Sequence, residues 1–441
     1  MTVTGRTLIA VLVLGVLAPA CTTIRRALHF ERQAVQARQV ARIEGRIETE
    51  AAAEGPLVVV LARPGETESD PLIGVDTFVR LLPGSFAFPV APGRYRLGAY
   101  EDRNQNRHLD PGERARMLEA GPLLSVGPGQ VAREDIVLAA DATTPPELTE
   151  SLDLRGLVAR TPREQLDFSL WAWSVQGEIC ADLRDARFGQ ASADRGLWQI
   201  MDFLNDGLAG IYFLEPYDPD RVPVLFVHGI AGTPQQFQPL IAALDRKRFQ
   251  PWFYFYPSGF PLDRLADHLA TLLTRLQVEH GFDELAIVAH SAGGLVSRAA
   301  ILDYARETGR EDVRLFVTIS TPWGGQESAA GAANARVEMP PAFQDMSPSS
   351  DFLRRLFYQD EARRIPRPLP DSVEFHMLFG YRMRSRSRTA NDGTVSVASQ
   401  ARPEAQQQAK SVRALDAGHV DILENEETLE RVSQLLAKRF R

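Results

Sequence analysis

A hydroxyl that attacks a carbonyl carbon needs a base to take its proton and an acid to hold that base. The chain carries candidates for all three in the order Ser291, Asp392 and His419. Ser291 lies in Ile287-Val288-Ala289-His290-Ser291-Ala292-Gly293-Gly294-Leu295. An apolar run enters a turn of small residues, and a helical pattern, Leu295 to Leu302, leaves it. A serine on so sharp a strand-to-helix turn stands above its sheet, and its neighbours must be small for the turn to close. Ala289 takes the place that glycine usually holds in G-x-S-x-G. A neutral serine is a weak nucleophile. In this reading His419 takes its proton, while Asp392 fixes the imidazole tautomer and stabilises the imidazolium. Alone, His419 would be an ordinary surface histidine and Asp392, before Gly393, a turn former. Their joint occurrence after successive strands makes them a set. His228 and His290 read as structural residues that shape the neighbouring turns.

Such residues must be carried by elements that bring them to one place. From Arg221 the pattern alternates regularly. Strands are expected at Val222–Val227, Trp252–Tyr256, Leu285–Ala289, Val313–Ile319, Val373–Phe379 and Val412–Leu415. Helices are expected at Gln236–Lys247, from Leu262 to Leu276, at Leu295–Arg306 and at Leu429–Phe440. Strands alternating with helices imply crossovers and a mostly parallel sheet covered on both faces. Active residues in such sheets gather at the carboxyl ends of the strands, where Ser291, Asp392 and His419 all fall. Residues 324–371 are too long for a simple crossover. Prolines break them up, and Leu353, Leu356 and Phe357 share a helical face. They read as a cap over the site.

The chain from about Tyr212 to the C-terminus resembles the lipase and esterase branch of the α/β-hydrolase superfamily, notably bacterial triacylglycerol lipases and GPI-inositol-deacylase-like proteins. The resemblance rests on the elbow, on Ser320-Thr321-Pro322-Trp323-Gly324-Gly325, on Asn391-Asp392-Gly393, and on the Ser, Asp, His order. Phe226-Val227-His228-Gly229-Ile230-Ala231-Gly232-Thr233 resembles the oxyanion loop of lipases. The resemblance implies an α/β-hydrolase fold, the backbone N–H groups of Ile230 and Ala292 as oxyanion donors, and ester hydrolysis with no cofactor required for catalysis.

Upstream, short strands end at Pro-Gly turns: Leu57–Ala62, Thr77–Leu82, Phe86–Val90, Arg94–Tyr100 and Val131–Leu138. This spacing predicts a small all-β sandwich over residues 45–140, and its pattern resembles prealbumin-like domains. One loop within it, Asp102 to Glu113, places Asp102, Asn104, Asn106, Asp110 and Glu113 at the ligand spacing of a calcium loop, with Arg107 at the usual glycine position. A structural calcium ion and a metal-free polar turn held by Asx hydrogen bonds are both open here.

The first residues bear on compartment. Arg6 precedes an uncharged run, Leu8 to Leu17, followed by small residues and Cys21. This is a secretory signal, and Leu17-Ala18-Pro19-Ala20-Cys21 resembles a bacterial lipobox. The resemblance implies residues 1–20 as signal, lipidation at Cys21, and a place in the cell envelope at the periplasmic face of the outer membrane. Residues 21–44 read as a tether with weak helical spacing, 141–150 as a linker, and 151–441 as the hydrolase domain. A net charge of −8 gives no global basic character to suggest nucleic acid as a partner. The sequence points to a membrane-anchored serine hydrolase of carboxylic esters, lipid esters foremost. An acyltransferase with the same triad and a catalytically silent binding lipoprotein stand as alternatives. Protein partners are not written in the sequence.

Overall fold

The computed structural model describes residues 39–64, 72–116, 122–142, 174–327, 339–382 and 390–441. The expected signal, Cys21, most of the tether and most of the linker lie outside the described residues.

The N-terminal region is built from two small sheets. Its strands are β1 Ala41–Thr49, β2 Leu57–Arg63, β3 Ile73–Arg80, β4 Gly84–Val90, β5 Gly93–Glu101, β6 Ala115–Arg116, β7 Leu124–Val126, β8 Val131–Arg133 and β9 Ile136–Leu138. One sheet has β1 at its centre, antiparallel to β4 and parallel to β8 and β9. The other runs β3-β2-β5-β6, with β7 also on β5. This corrects the tether: residues expected there begin a central strand, and Ala41, Ile43 and Ile47 are fully buried in the core between the sheets. The expected strand Val131–Leu138 is broken into two short ones.

β2 is buried on both faces. Val59 and Leu61 face the sandwich core, whereas Val58, Val60 and Ala62 form a second cluster with Val278 of the large domain. Arg107 pairs with Glu279 at 2.6 Å and Arg80 with Glu307 at 3.3 Å across the same junction. The Arg275 guanidinium donates to the Thr77 carbonyl.

The large domain carries an eight-stranded sheet. Its strands begin with β10 Val175–Ile179 and β11 Gly210–Phe213, which lie together at one side, and continue with β12 Val222–Val227, β13 Phe249–Phe255, β14 Leu285–His290 and β15 Val313–Ile319. A two-stranded hairpin, β16 Tyr358–Asp360 and β17 Ile365–Pro366, stands apart, and β18 Glu374–Tyr381 and β19 Ser411–Asp416 complete the sheet. The order is β10-β11-β13-β12-β14-β15-β18-β19, parallel except where β11 meets β13. Strands covered on both faces read as continuous apolar runs, and every residue of β13 and β14 is buried.

The helices are α1 Gln190–Trp198, α2 Ile200–Asn205, α3 Gln238–Ala242, α4 Leu262–His280, α5 Ala292–Thr308, α6 Pro341–Asp345, α7 Asp351–Phe357, α8 Val397–Gln400, α9 Pro403–Gln408 and α10 Glu426–Arg439. Helix α4 buries Leu262, Leu265, Leu269, Leu272, Leu273 and Leu276, the apolar stripe of its sequence. It stops at Gly281, whose φ of 67° suits glycine. The expected helix Gln236–Lys247 is only a 3-10 turn followed by α3.

The described part of the expected cap is firmly packed. Phe352, Leu353, Leu356 and Phe357 of α7 are buried. Arg298 of α5 is also fully buried. Its guanidinium donates to the carbonyls of Leu356 (3.1 Å) and Arg367 (2.9 Å) and to Gln408 Oε1 (2.9 Å), and lies 4.6 Å from the Phe357 ring centroid. Asp345 Oδ2 accepts from the Leu262 N–H at the start of α4 (2.7 Å). The segment is thereby tied to both central helices.

Candidate active site

Sheet register brings the site together. β12 and β14 are neighbours, with Val227 opposite Ala289. The loop leaving β12 therefore runs beside the turn leaving β14, and Gly229 comes against Ser291. A Cβ on Gly229 would stand 2.6 Å from the Ser291 Cβ and 3.0 Å from its Oγ, so only glycine fits. β18 and β19 are likewise paired, Tyr381 opposite Asp416, which sets the Asp392 loop beside the His419 loop.

The turn itself is strained. Ser291 sits at φ 54°, ψ −132°, a conformation that costs a non-glycine residue about 1–3 kcal/mol. It is held by a bond from the Ser291 N–H to the Ile319 carbonyl (2.9 Å) and from the Gly294 N–H to the Ser291 carbonyl (3.0 Å). Small neighbours are required for packing reasons. A Cβ on Gly293 would strike the carbonyls of Val227 and His228, and one on Gly294 would strike Thr321. At Ala289, fully buried in the strand, a methyl group is accommodated.

Three side chains form a hydrogen-bonded line. Ser291 Oγ is 2.9 Å from His419 Nε2, and His419 Nδ1 is 2.7 Å from Asp392 Oδ2. With the carboxylate as acceptor, Nδ1 carries the proton and Nε2 is free to accept from the serine hydroxyl. The other oxygen of Asp392 accepts the N–H groups of Thr394 (2.9 Å) and Val395 (2.7 Å). Burial pushes the Asp392 carboxyl up, but its bond to His419, the positive charge that ring carries when protonated and the two amides outweigh this and hold it below the usual carboxylate range. Asp421, a nearby acid on the same loop as His419, is paired with Arg382 instead (2.6 Å).

The loop after β12 is pinned from the end of β13. Ala231, at φ 52°, donates its N–H to Ser258 Oγ (2.9 Å). The Tyr256 hydroxyl donates to the His228 carbonyl, and the two rings stack at 4.1 Å. The Gly232 N–H turns back to the Gly229 carbonyl (3.1 Å). The amides of Ala231 and Gly232 are thus committed. Ala292 is the first residue of α5, where a helix leaves its N–H groups without intrahelical partners. Burial holds His228 at about 4 and His290 at about 3, so both rings are neutral near pH 7 and neither competes with His419 as a base. Tyr256 and Ser258 were not anticipated from the sequence. They follow a strand at its carboxyl end, the rule that located the other site residues.

The calcium-like loop is arranged as a polar turn. Asp102 accepts the N–H groups of Asn106 (3.0 Å) and Arg107 (2.9 Å). Glu113 accepts those of Arg103 and Asp110, both at 2.9 Å. The side-chain amides of Asn104 and Asn106 both point their nitrogens at Asp110 (2.7 and 2.6 Å). Among the described residues, no three His, Cys, Asp or Glu side chains converge to hold a metal ion. No described helix is long and apolar enough to cross a membrane.

The doubly covered sheet, the serine on its strand-to-helix turn and the Ser, Asp, His order together make the α/β-hydrolase fold. Residues 224–432 match the alpha/beta hydrolase family. The hydrolase domain is similar to the mature form of the Bacillus licheniformis lipase BlEst2 at 18% identity, covering 51% of this chain and 97% of that one with a TM-score of 0.41. The Bacillus subtilis carboxylesterase CesB matches at 17% identity over 52% of this chain and 88% of its own, with a TM-score of 0.32. Phospholipase PlaB of Legionella pneumophila matches at 15% identity over 41% of this chain and 45% of its own, with a TM-score of 0.31. No curated protein matches the chain.

Proposed function

We propose that the protein is a serine hydrolase of carboxylic esters that works through an acyl-enzyme on Ser291. The observation that carries this is the line Ser291–His419–Asp392, with distances of 2.9 and 2.7 Å. In the first half-reaction His419 Nε2 takes the Ser291 proton as Oγ bonds to the ester carbonyl carbon. The carbonyl oxygen becomes an oxyanion between the N–H groups of Ile230 and Ala292. The tetrahedral species collapses, the ester C–O bond breaks, and the imidazolium returns its proton to the departing alcohol. Water then repeats the sequence in the second half, with His419 as base again, and frees the acid. Each oxyanion donor is worth roughly 2.7–4 kcal/mol in such reactions.

Lipid esters are the proposed substrate class, because Cys21 would place the protein at a membrane surface. Serine at position 21 should then move the protein from the membrane to the soluble fraction. A panel of esters of increasing acyl length, with and without detergent micelles, tests the substrate. Selective turnover of long-chain esters is expected. Turnover of none, with or without an added alcohol acceptor, would refute the activity.

A further inference from the structure

His290 ends β14, immediately before the nucleophile, and is buried. Its Nε2 is 2.7 Å from the backbone carbonyl of His419, and its ring lies 4.9 Å from the His419 ring. A carbonyl only accepts, so Nε2 carries the ring proton and donates it. Nδ1 is then an acceptor, and it is buried with no partner among the described residues. An imidazole with an orphaned nitrogen is a costly filler for a buried site. An apolar residue of similar size would pack there without that cost. What histidine adds over an apolar side chain is the single donor to His419.

That donor acts where the fold is weakest in regular structure. His419 lies between the end of β19 and a 3-10 turn at Asp421–Leu423. Its N–H is tied to the Asp392 carbonyl (2.9 Å) and its Nδ1 to the Asp392 carboxylate (2.7 Å). Both of these ties run to one residue, itself on a loop. Among the described residues, the bond from His290 ties the His419 backbone itself to the central sheet, one residue from Ser291. Resting on the proposed hydrolase reading, we infer that His290 is a positioning residue that fixes the distance between His419 and Ser291. It does so by holding the His419 carbonyl against the strand that carries the nucleophile.

The side chain that tests this must keep or lose one donor at one reach. In His290→Gln the amide nitrogen falls near the Nε2 position, and in His290→Asn it falls near Nδ1, short of the carbonyl. Glutamine should keep kcat within a few-fold of wild type, whereas asparagine and His290→Leu should lower kcat by about tenfold to 100-fold, the scale of a 1 Å misplacement. KM should stay close to wild type in all three, because the ring does not face the substrate's binding contacts in this scheme. Thermal unfolding identifies variants that are folded, and the glutamine and asparagine pair keeps the comparison alive should leucine not fold. Equal kcat for folded glutamine and asparagine variants, or wild-type kcat for folded leucine, would overturn the inference. Fluorophosphonate labelling of the wild-type protein is run alongside. Absence of label refutes the hydrolase reading itself, whereas normal label with a flat His290 series refutes only the positioning role.

Discussion

Gly229→Ala should nearly abolish turnover while leaving the protein folded. The added Cβ would lie 2.6 Å from the Ser291 Cβ, 3.0 Å from Ser291 Oγ and 3.3 Å from the His290 carbonyl oxygen. Carbon atoms in contact rest at about 3.5–4.0 Å, so the loop and the nucleophile must separate by about 1 Å. Ser291 cannot yield easily, because its N–H is tied to Ile319 and its carbonyl to Gly294. The loop must move instead, carrying the Ile230 N–H away from the oxyanion position. Loss of one such donor corresponds to about 10²–10³ in kcat. Overpacking of this size costs roughly 1–3 kcal/mol of stability. The assay is steady-state hydrolysis of a chromogenic ester together with thermal unfolding. A folded Gly229→Ala variant with kcat within about threefold of wild type would show that this loop does not serve the reaction.

Other perturbations test other parts of the structure. Arg298→Ala should destabilise the protein by about 3 kcal/mol, since it leaves a cavity and strips three acceptors, that of Leu356 buried, of their donor, and limited proteolysis should then cut first between residues 339 and 370. Acid should destabilise the fold from an early point. His228, His268 and His290 are buried with values lowered to about 4, 3 and 3, chiefly by burial. Their stabilising effect is therefore complete above the unfolded value near 6.5 and is lost as pH falls from there toward about 4 for His228 and about 3 for the other two, at about 1 kcal/mol each by pH 5.5. Urea midpoints measured from pH 7.5 to 5 check this, and a flat profile would contradict it. For the loop Asp102–Glu113 we propose at most a weak calcium site. Millimolar calcium should then raise the stability by no more than about 1–2 kcal/mol, and thermal scans that superimpose with calcium and with chelator would remove it.

Much of the hydrolase domain is legible because parallel strands buried on both faces announce themselves as unbroken apolar runs. Val222–Val227 and Val313–Ile319 have the bounds that their sequences imply. The side of the sheet that holds β10 and β11 is harder to read. β10 carries a register shift at Gln176 and Glu178 and leaves Glu178 and Ile179 exposed, so it has neither an apolar run nor a clean alternation. β11 is only four residues long. In the sandwich, β1 does alternate at Ala41, Ile43 and Ile47, but the inward position between them is Gly45. A Cβ there would collide with the Glu134 carbonyl, so packing removed the residue that would have completed the pattern. Without it, residues 21–44 read as a tether with weak helical spacing. Within the site, Ser291, Asp392 and His419 were legible because chemistry restricts which residue types can serve. Tyr256 and Ser258 were not. Each supports the site through a backbone group of another segment, and such a contact leaves no trace in local sequence.

The most direct test of the central claim is covalent labelling with a fluorophosphonate ester followed by peptide mass spectrometry. Wild-type protein should take up one equivalent of probe on Ser291 Oγ. Ser291→Ala should take up none, and His419→Ala should react slower by orders of magnitude, since Nε2 removes the proton as the bond forms. Asp392→Asn should also be slowed, because its side chain no longer fixes the imidazole tautomer. Label on a residue other than Ser291, or labelling of folded His419→Ala at the wild-type rate, would contradict the account.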